Sequence, residues 1–341
     1  MRDSTLEVLK ENDLYPETRL GRAMRVFLPS TIRSIDNRNT KYLQVARDGQ
    51  FIETGVFDHR NHPDWDGDKH LIVCFSSQVG CDQRCPFCAT GAPKRMPWSN
   101  ALIRLVRNLS AEEIVDQVSN VVALSGTQDD DSPLLLSAMG MGEPFDNFNA
   151  VYQAIGELGA RWRDRSRATI STICRPEDQE AIRRLAASIN DGELPIPVKM
   201  HFSLHGPDDE TRRQLVPRGG SVQELLDTAY EFAQTTGTRP KLNYVLMAGK
   251  NDTTAHAQCL VEVIQAHPIA AEATVKISHL NTYGTYLPSS DEVAAEFQRI
   301  LEEAGVSTTR FSSAVDGGQV EAGCGQLQKR VLSELIFQNP R

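Results

Sequence analysis

The chain has 341 residues, 40% of them hydrophobic and 24% charged, with a formal net charge of −9. These proportions belong to a folded globular protein and exclude collagen-like, coiled-coil and disordered classes; the length allows one large α/β domain with an appendage, or two ordinary domains. No run of about 18 apolar residues occurs and the first twenty residues carry charges throughout, so neither secretion nor a membrane partner is expected.

Residues 1–70 read as a small N-terminal extension: a helix-like start, then "KYLQVARDGQFIETGVF", two strands about an Asp48-Gly49 turn of hairpin type. From residue 71 to 341 strand-like runs alternate with helix-period segments, the pattern of repeated βα units around a parallel sheet. The strand-like runs are "HLIVCFS", "PLLLSAM", "ATISTI", "PVKMHFSL", "KLNYVLM", "TVKISHL" and "STTRFSS". Helical segments lie between them. The first opens with Ser110 and Glu113 at capping-box spacing and the last closes on Gly305. Six βα repeats suit a barrel or partial barrel, whose chemistry gathers in the loops after the strands. "TGAPKRMPWSNALIRLVRNL", with its two prolines, reads as a long loop.

Four of the seven cysteines fall between Cys74 and Cys88. An odd count with a tight cluster is unlike a secreted disulfide framework and fits a reducing cytosol with metal or redox chemistry, so the cytoplasm is expected. Cys81, Cys85 and Cys88 form C-x3-C-x2-C, preceded by Cys74 near the end of a strand. A structural zinc site wants two ligand pairs, and an electron-transfer cubane wants four thiolates. Three thiolates leave one iron open for a substrate, as in radical S-adenosylmethionine (SAM) enzymes; a zinc or iron-sulfur binding protein without catalysis is the rival. Cys174 and Cys259 read as small buried hydrophobes. Cys324, between glycines after the last strand, is open to a functional reading.

At the strand ends, "MGMGEPFDN" lacks the third glycine of a dinucleotide fingerprint, and Pro144 argues against a helix start with free amides there. A turn placing Gly142 and Glu143 against a ligand amine is the better reading. Ser171 and Thr172, then Ser203 and His205, then Asn281 follow at the ends of later strands. Each has a capping or turn reading alone; together they suggest one cosubstrate site. The negative charge is not that of a general nucleic-acid binder. Local basic candidates are Lys94 and Arg95; Arg161, Arg163, Arg165 and Arg167; and Arg212, Arg213 and Arg218. Each alone reads first as a solvated helix end or loop.

"CFSSQVGCDQRCPFC", "RNLSAEEIVDQV", "MGMGEP", "SLHGPDDETRRQLVP", "NYVLMAGKND" and "CGQL" together resemble the radical methyltransferases of the RlmN/Cfr type, over about Gln50 to Leu327. The resemblance implies a partial (β/α)6 radical SAM barrel with a small N-terminal extension, a [4Fe-4S] cluster on Cys81, Cys85 and Cys88, and two SAM molecules per turnover. It implies SAM contacts from Gly142, Glu143, Ser171, Ser203, Leu204, His205 and Asn281. It further implies Cys324 as methyl carrier, Cys74 as resolving cysteine and Glu53 as proton acceptor. The family methylates C2 or C8 of an adenosine in RNA, an electron-poor carbon that cannot attack a methyl group directly. A relay through S-methylcysteine, a methylene radical and a covalent adduct answers that, and ends in a disulfide that must be reduced. The implied partners are an RNA substrate, ribosomal or transfer, and an external electron donor such as flavodoxin or ferredoxin. The alternative keeps the chemistry and replaces RNA with a nucleoside-like small molecule or biosynthetic intermediate.

Overall fold

The computed structural model describes residues 14–15, 24–33, 39–59, 70–95, 102–127, 131–311 and 323–338. The helix-like start expected at the N-terminus lies outside them. The chain forms two compact units, one of Met1–Asp82, Cys88–Ala168 and Val315–Arg341, the other of Gln83–Phe87 and Thr169–Ala314.

In the first unit the strands Leu14–Tyr15, Met24–Arg33, Asn39–Ala46, Phe51–Asp58, Leu71–Cys74 and Leu134–Ala138 hydrogen-bond in that order. All pairs are antiparallel except the last, which is parallel. The expected hairpin is present, with Gly49 at φ 79° in its turn. The hairpin continues into the sheet that carries the first parallel strand, because Gly55 pairs with Cys74 and Cys74 with Ser137. The strand Met24–Arg33 was not anticipated, since Pro29 interrupts its alternation. The presumed long loop after the cysteines holds more structure than its prolines suggest. Lys94–Arg95 pairs with Leu102–Ile103, and Leu105–Asn108 pairs with Gln78–Gly80.

The helix Ala111–Leu124 begins at the expected capping box, with both reciprocal bonds made between Ser110 and Glu113. Its Gln117 is fully buried and imitates a strand edge. Its Oε1 accepts from Ser76 N (2.9 Å) and Thr54 Oγ1 (3.1 Å), and its Nε2 donates to Ser76 O (2.8 Å). Buried backbone groups that leave the ladder are thereby satisfied.

In the second unit Val198–Ser203, Lys241–Leu246, Thr274–His279 and Thr308–Phe311 are parallel neighbours in chain order; Ser166–Thr172 begins in the first unit and ends in this one. The helices Gln179–Asn190, Val222–Thr236, Thr254–Gln265 and Asp291–Glu303 alternate with them. Val198, Met200 and Phe202 are buried while Lys199 is exposed, the two-residue period that turns one strand face to the helices. The α/β class with parallel strands is as expected. A short helix, Asp209–Leu215, and a tail helix, Gln326–Gln338 of the first unit, were not foreseen.

Candidate active site

The tail that carries Cys324 is held in the first unit by one carboxylate. Glu53, on Phe51–Asp58, is 3% exposed. Its Oε2 accepts from Gly325 N (2.8 Å) and its Oε1 from Gln328 N (2.6 Å), so it caps the helix Gln326–Gln338 from another part of the chain. A carboxylate there also meets the positive end of the helix dipole. Lys41 Nζ pairs with Glu53 Oε2 (2.8 Å) and donates to Gly323 O (2.5 Å). Leu43, Val45 and Phe51 share one cluster with Leu327, Val331 and Leu332 of the tail helix. Each such burial contributes about 1.5–3 kcal/mol. Gln328 Nε2 also donates to Phe51 O.

This docking fixes the thiol. Cys324 Sγ donates to Met139 O (3.1 Å). Gly325 has φ +81°, and an added Cβ would stand 2.5 Å from Thr90 N, so only glycine lets the tail approach the segment after Cys88 this closely. Burial pushes the Cys324 thiol well above the usual range; neighbouring Cys74, Cys88 and Glu53 push it the same way, and Lys41 opposes them. The three residues expected to perform the relay, Glu53, Cys74 and Cys324, therefore occupy one electrostatic neighbourhood of this unit, together with Cys88.

Of the cluster cysteines, Cys81 is buried and its N donates to Arg104 O (3.0 Å); Cys88 precedes the turn Ala89–Gly91. In the second unit Cys85 and Phe87 pack against Ile173, Leu215, Val216, Met247 and Leu280. None of the seven cysteines is in a disulfide. Among the described residues no three His, Cys, Asp or Glu side chains converge on one metal ion. A cubane takes each thiolate on a different iron and needs no such convergence, so three thiolates on one short loop fit a [4Fe-4S] cluster.

Gly142 and Glu143 lie where the parallel strand Leu134–Ala138 runs out. Gly142 has φ +104°, and a Cβ there would lie 2.6 Å from Ser77 Oγ. Glu143 N donates to Gln78 Oε1 (2.9 Å), while its carboxylate caps the turn Pro144–Asn147 by accepting from Phe145 N (3.2 Å). This corrects the reading of Pro144. It occupies the first position of a helical turn, where its missing N–H costs nothing, and the helix Phe148–Arg161 follows directly.

In the second unit Leu204 is fully buried and His205 nearly so, with φ 56° in the left-handed region. His205 Nδ1 accepts from Val245 N (3.2 Å), and the Phe87 ring stands edge-on at 5.4 Å. Burial, with Arg212 adding, brings the His205 pKa down to about 3, so the ring is neutral. Ser171 Oγ is buried and has no hydrogen-bond partner among the described residues, a polar group suited to a ligand. Ser203 and Asn281 are partly exposed.

Arg212 was grouped with the basic candidates, and the structure overturns that. It is 1% exposed and donates to Gly220 O (2.7 Å), to Ser203 O and Leu204 O (both 2.6 Å) and to Ile173 O (2.6 Å). It ties together the ends of two strands that carry candidate SAM contacts. Lys94 is buried too, donating to Thr90 O (3.0 Å), with Glu53, Cys88 and Cys81 nearby. Sequence reasoning missed Lys41, Arg212 and Gln117. Only Lys41 carried a signal: a charge sharing a strand face with Leu43 and Val45.

A family model described as the Radical SAM superfamily matches residues 75–257. A solved radical SAM methyltransferase from Sphaerobacter thermophilus superposes with a TM-score of 0.69 at 30% identity, covering 87% of this chain and 79% of that one. The fold and its cysteine loop thus define a radical SAM methyltransferase, an enzyme that uses a [4Fe-4S] cluster and SAM. Among curated relatives, a probable dual-specificity RNA methyltransferase RlmN from Salinispora arenicola is 34% identical over 319 residues, 88% of this chain and 74% of its own. One of the same name from Carboxydothermus hydrogenoformans is 31% identical over 336 residues, 95% of this chain and 84% of its own. The chain belongs to the RlmN family. No helix among the described residues is long and apolar enough to cross a membrane.

Proposed function

We propose that this enzyme moves a methyl group through S-methylcysteine at Cys324 to an sp2 carbon, C2 or C8 of an adenosine in ribosomal or transfer RNA. What supports the reading is the docked tail: Glu53 accepts from Gly325 N next to Cys324, and Cys74 shares the electrostatic neighbourhood of Cys324. Cys81, Cys85 and Cys88 would hold the cluster, and Gly142, Glu143, Ser171, Ser203, Leu204, His205 and Asn281 the SAM. Bound, these groups supply the methyl group and the radical that the transfer requires.

The chain's own residues do the rest. Cys324 accepts the methyl as a thiolate and carries it to the ring. Glu53 takes the proton that the substituted ring carbon must lose. Cys74 thiolate then attacks Cys324 sulfur: an S–S bond forms, the S–C bond breaks, and its electron pair stays on the methylene carbon, which gains a proton to become methyl. The disulfide must then be reduced before another turnover, and an external electron donor such as flavodoxin or ferredoxin would supply the cluster. A reducing cytosol suits seven cysteines outside any disulfide. The division into an extension (1–70) and a barrel with its tail (71–341) remains part of this reading.

The test is the Cys324→Ala variant, loaded with cluster: it should cleave SAM slowly and transfer no methyl, and methylated product from it would exclude the relay. One observation favours the small-molecule alternative: two of the basic candidates, Lys94 and Arg212, are buried and bonded to carbonyls. RNA binding that weakens steeply with salt supports the RNA substrate, and no such binding supports the alternative.

A further inference from the structure

Cys324 is bracketed by one ion pair. On its N-terminal side Lys41 Nζ donates to Gly323 O (2.5 Å), and on its C-terminal side Glu53 accepts from Gly325 N (2.8 Å). The two side chains pair with each other at 2.8 Å and are 7% and 3% exposed. They stand on neighbouring antiparallel strands, with Lys41 opposite Gly55 and Leu43 opposite Glu53, so they meet diagonally on one face. That face also carries Leu43, Val45 and Phe51, which receive the tail helix. An isolated lysine in such an apolar setting would be costly, as would an isolated glutamate; each is retained because the other and the tail backbone complete it.

From this bracketing we infer that Lys41 is a positioning residue for the methyl carrier: with Glu53 it clamps the backbone on both sides of Cys324 and sets the place of its thiol. The clamp joins the tail to the sheet at the residue expected to accept the proton, so docking of the tail and placement of Glu53 are one event. The ammonium group also lies near enough to favour the Cys324 thiolate electrostatically. The inference rests on the relay reading for its functional meaning, but the clamp can be measured without it.

The experiment uses the full chain with its cluster, as wild type, Lys41→Met and Lys41→Arg. Amide hydrogen exchange is followed in the peptide containing Gly325 and Gln328, with a peptide from Ala111–Leu124 as the control for global unfolding. Methylation of Cys324 is then read by mass spectrometry after incubation with SAM. Lys41→Met should exchange the tail amides about tenfold faster or more, the control remaining protected, and Lys41→Arg should restore most of the protection. Methylation should fall in Lys41→Met and recover in Lys41→Arg. Tail protection unchanged in Lys41→Met overturns the inference, even if wild-type Cys324 is methylated. A tail loosened in Lys41→Met beside an unmethylated wild-type Cys324 upholds the clamp and removes the relay. Should Lys41→Met unfold, Lys41→Arg decides: a protected, methylated tail supports the clamp, and an open tail in a folded protein contradicts it.

Discussion

The two units assemble their candidate site residues by opposite means. In the first, the decisive bonds join residues far apart in sequence: Glu53 to Gly325 spans 272 positions and Lys41 to Gly323 spans 282. In the second, Arg212 reaches carbonyls only 8 to 39 positions away and gathers strand ends within one βα neighbourhood. Closing a long loop is entropically expensive, though the cost rises slowly with length. The first unit's site therefore depends on a separate docking event, while the second unit's forms as its strands form. A tail that docks as a unit can also be released as one, which would suit the role of methyl carrier proposed for Cys324.

Three substitutions would break or sharpen this contrast. The largest effect is expected from Arg212→Met, which leaves the carbonyls of Ile173, Ser203, Leu204 and Gly220 buried without their donor. At roughly 1–3 kcal/mol for each buried group left unsatisfied, the second unit should lose about 4 kcal/mol or more. Chemical denaturation should show the loss, together with weakened SAM binding; wild-type stability would mean that the arginine does not organise the strand ends.

Gly325→Ala should cost less and act only on the tail. A Cβ 2.5 Å from Thr90 N, on a backbone at φ +81°, should weaken docking by about 1–3 kcal/mol. Faster proteolysis or exchange at the tail, with the second unit unchanged, would mark the two units as separable.

The smallest effect concerns pH. His205 in the folded protein has its pKa brought down to about 3, while an unfolded histidine titrates near 6.5. The unfolded chain thus binds a proton that the folded chain refuses, and stability falls as pH drops below about 6.5, by up to about 1.4 kcal/mol per pH unit for this one group. Comparing wild type with His205→Asn at pH 7.5 and 5.5 isolates it; equal pH sensitivity in the two proteins would place the source elsewhere.

The parallel strands were readable because each is a short apolar run bounded by turn residues, and the helices because their caps are local, as at Ser110–Glu113. The cysteine loop pointed to radical SAM chemistry by its spacing together with the βα pattern around it. Arg212 was read as a surface charge because nothing in "ETRRQ" distinguishes Arg212 from Arg213, which is exposed and pairs with Glu210. The strand Met24–Arg33 was hidden by Pro29. The role of Lys41 became visible only when the tail folded back over it: a one-dimensional pattern shows that a charge faces inward, and of the partners that make this tolerable Glu53 lies on the next strand while Gly323 lies almost three hundred residues away.

The relay through Cys324 is tested most directly by trapping it. With Cys74 replaced by Ala there is no thiol to resolve the adduct, so anaerobically purified Cys74→Ala enzyme should carry a nucleotide or RNA fragment covalently attached to Cys324, seen by mass spectrometry. Unmodified Cys324 in that variant, bearing neither substrate nor methyl, would contradict the account.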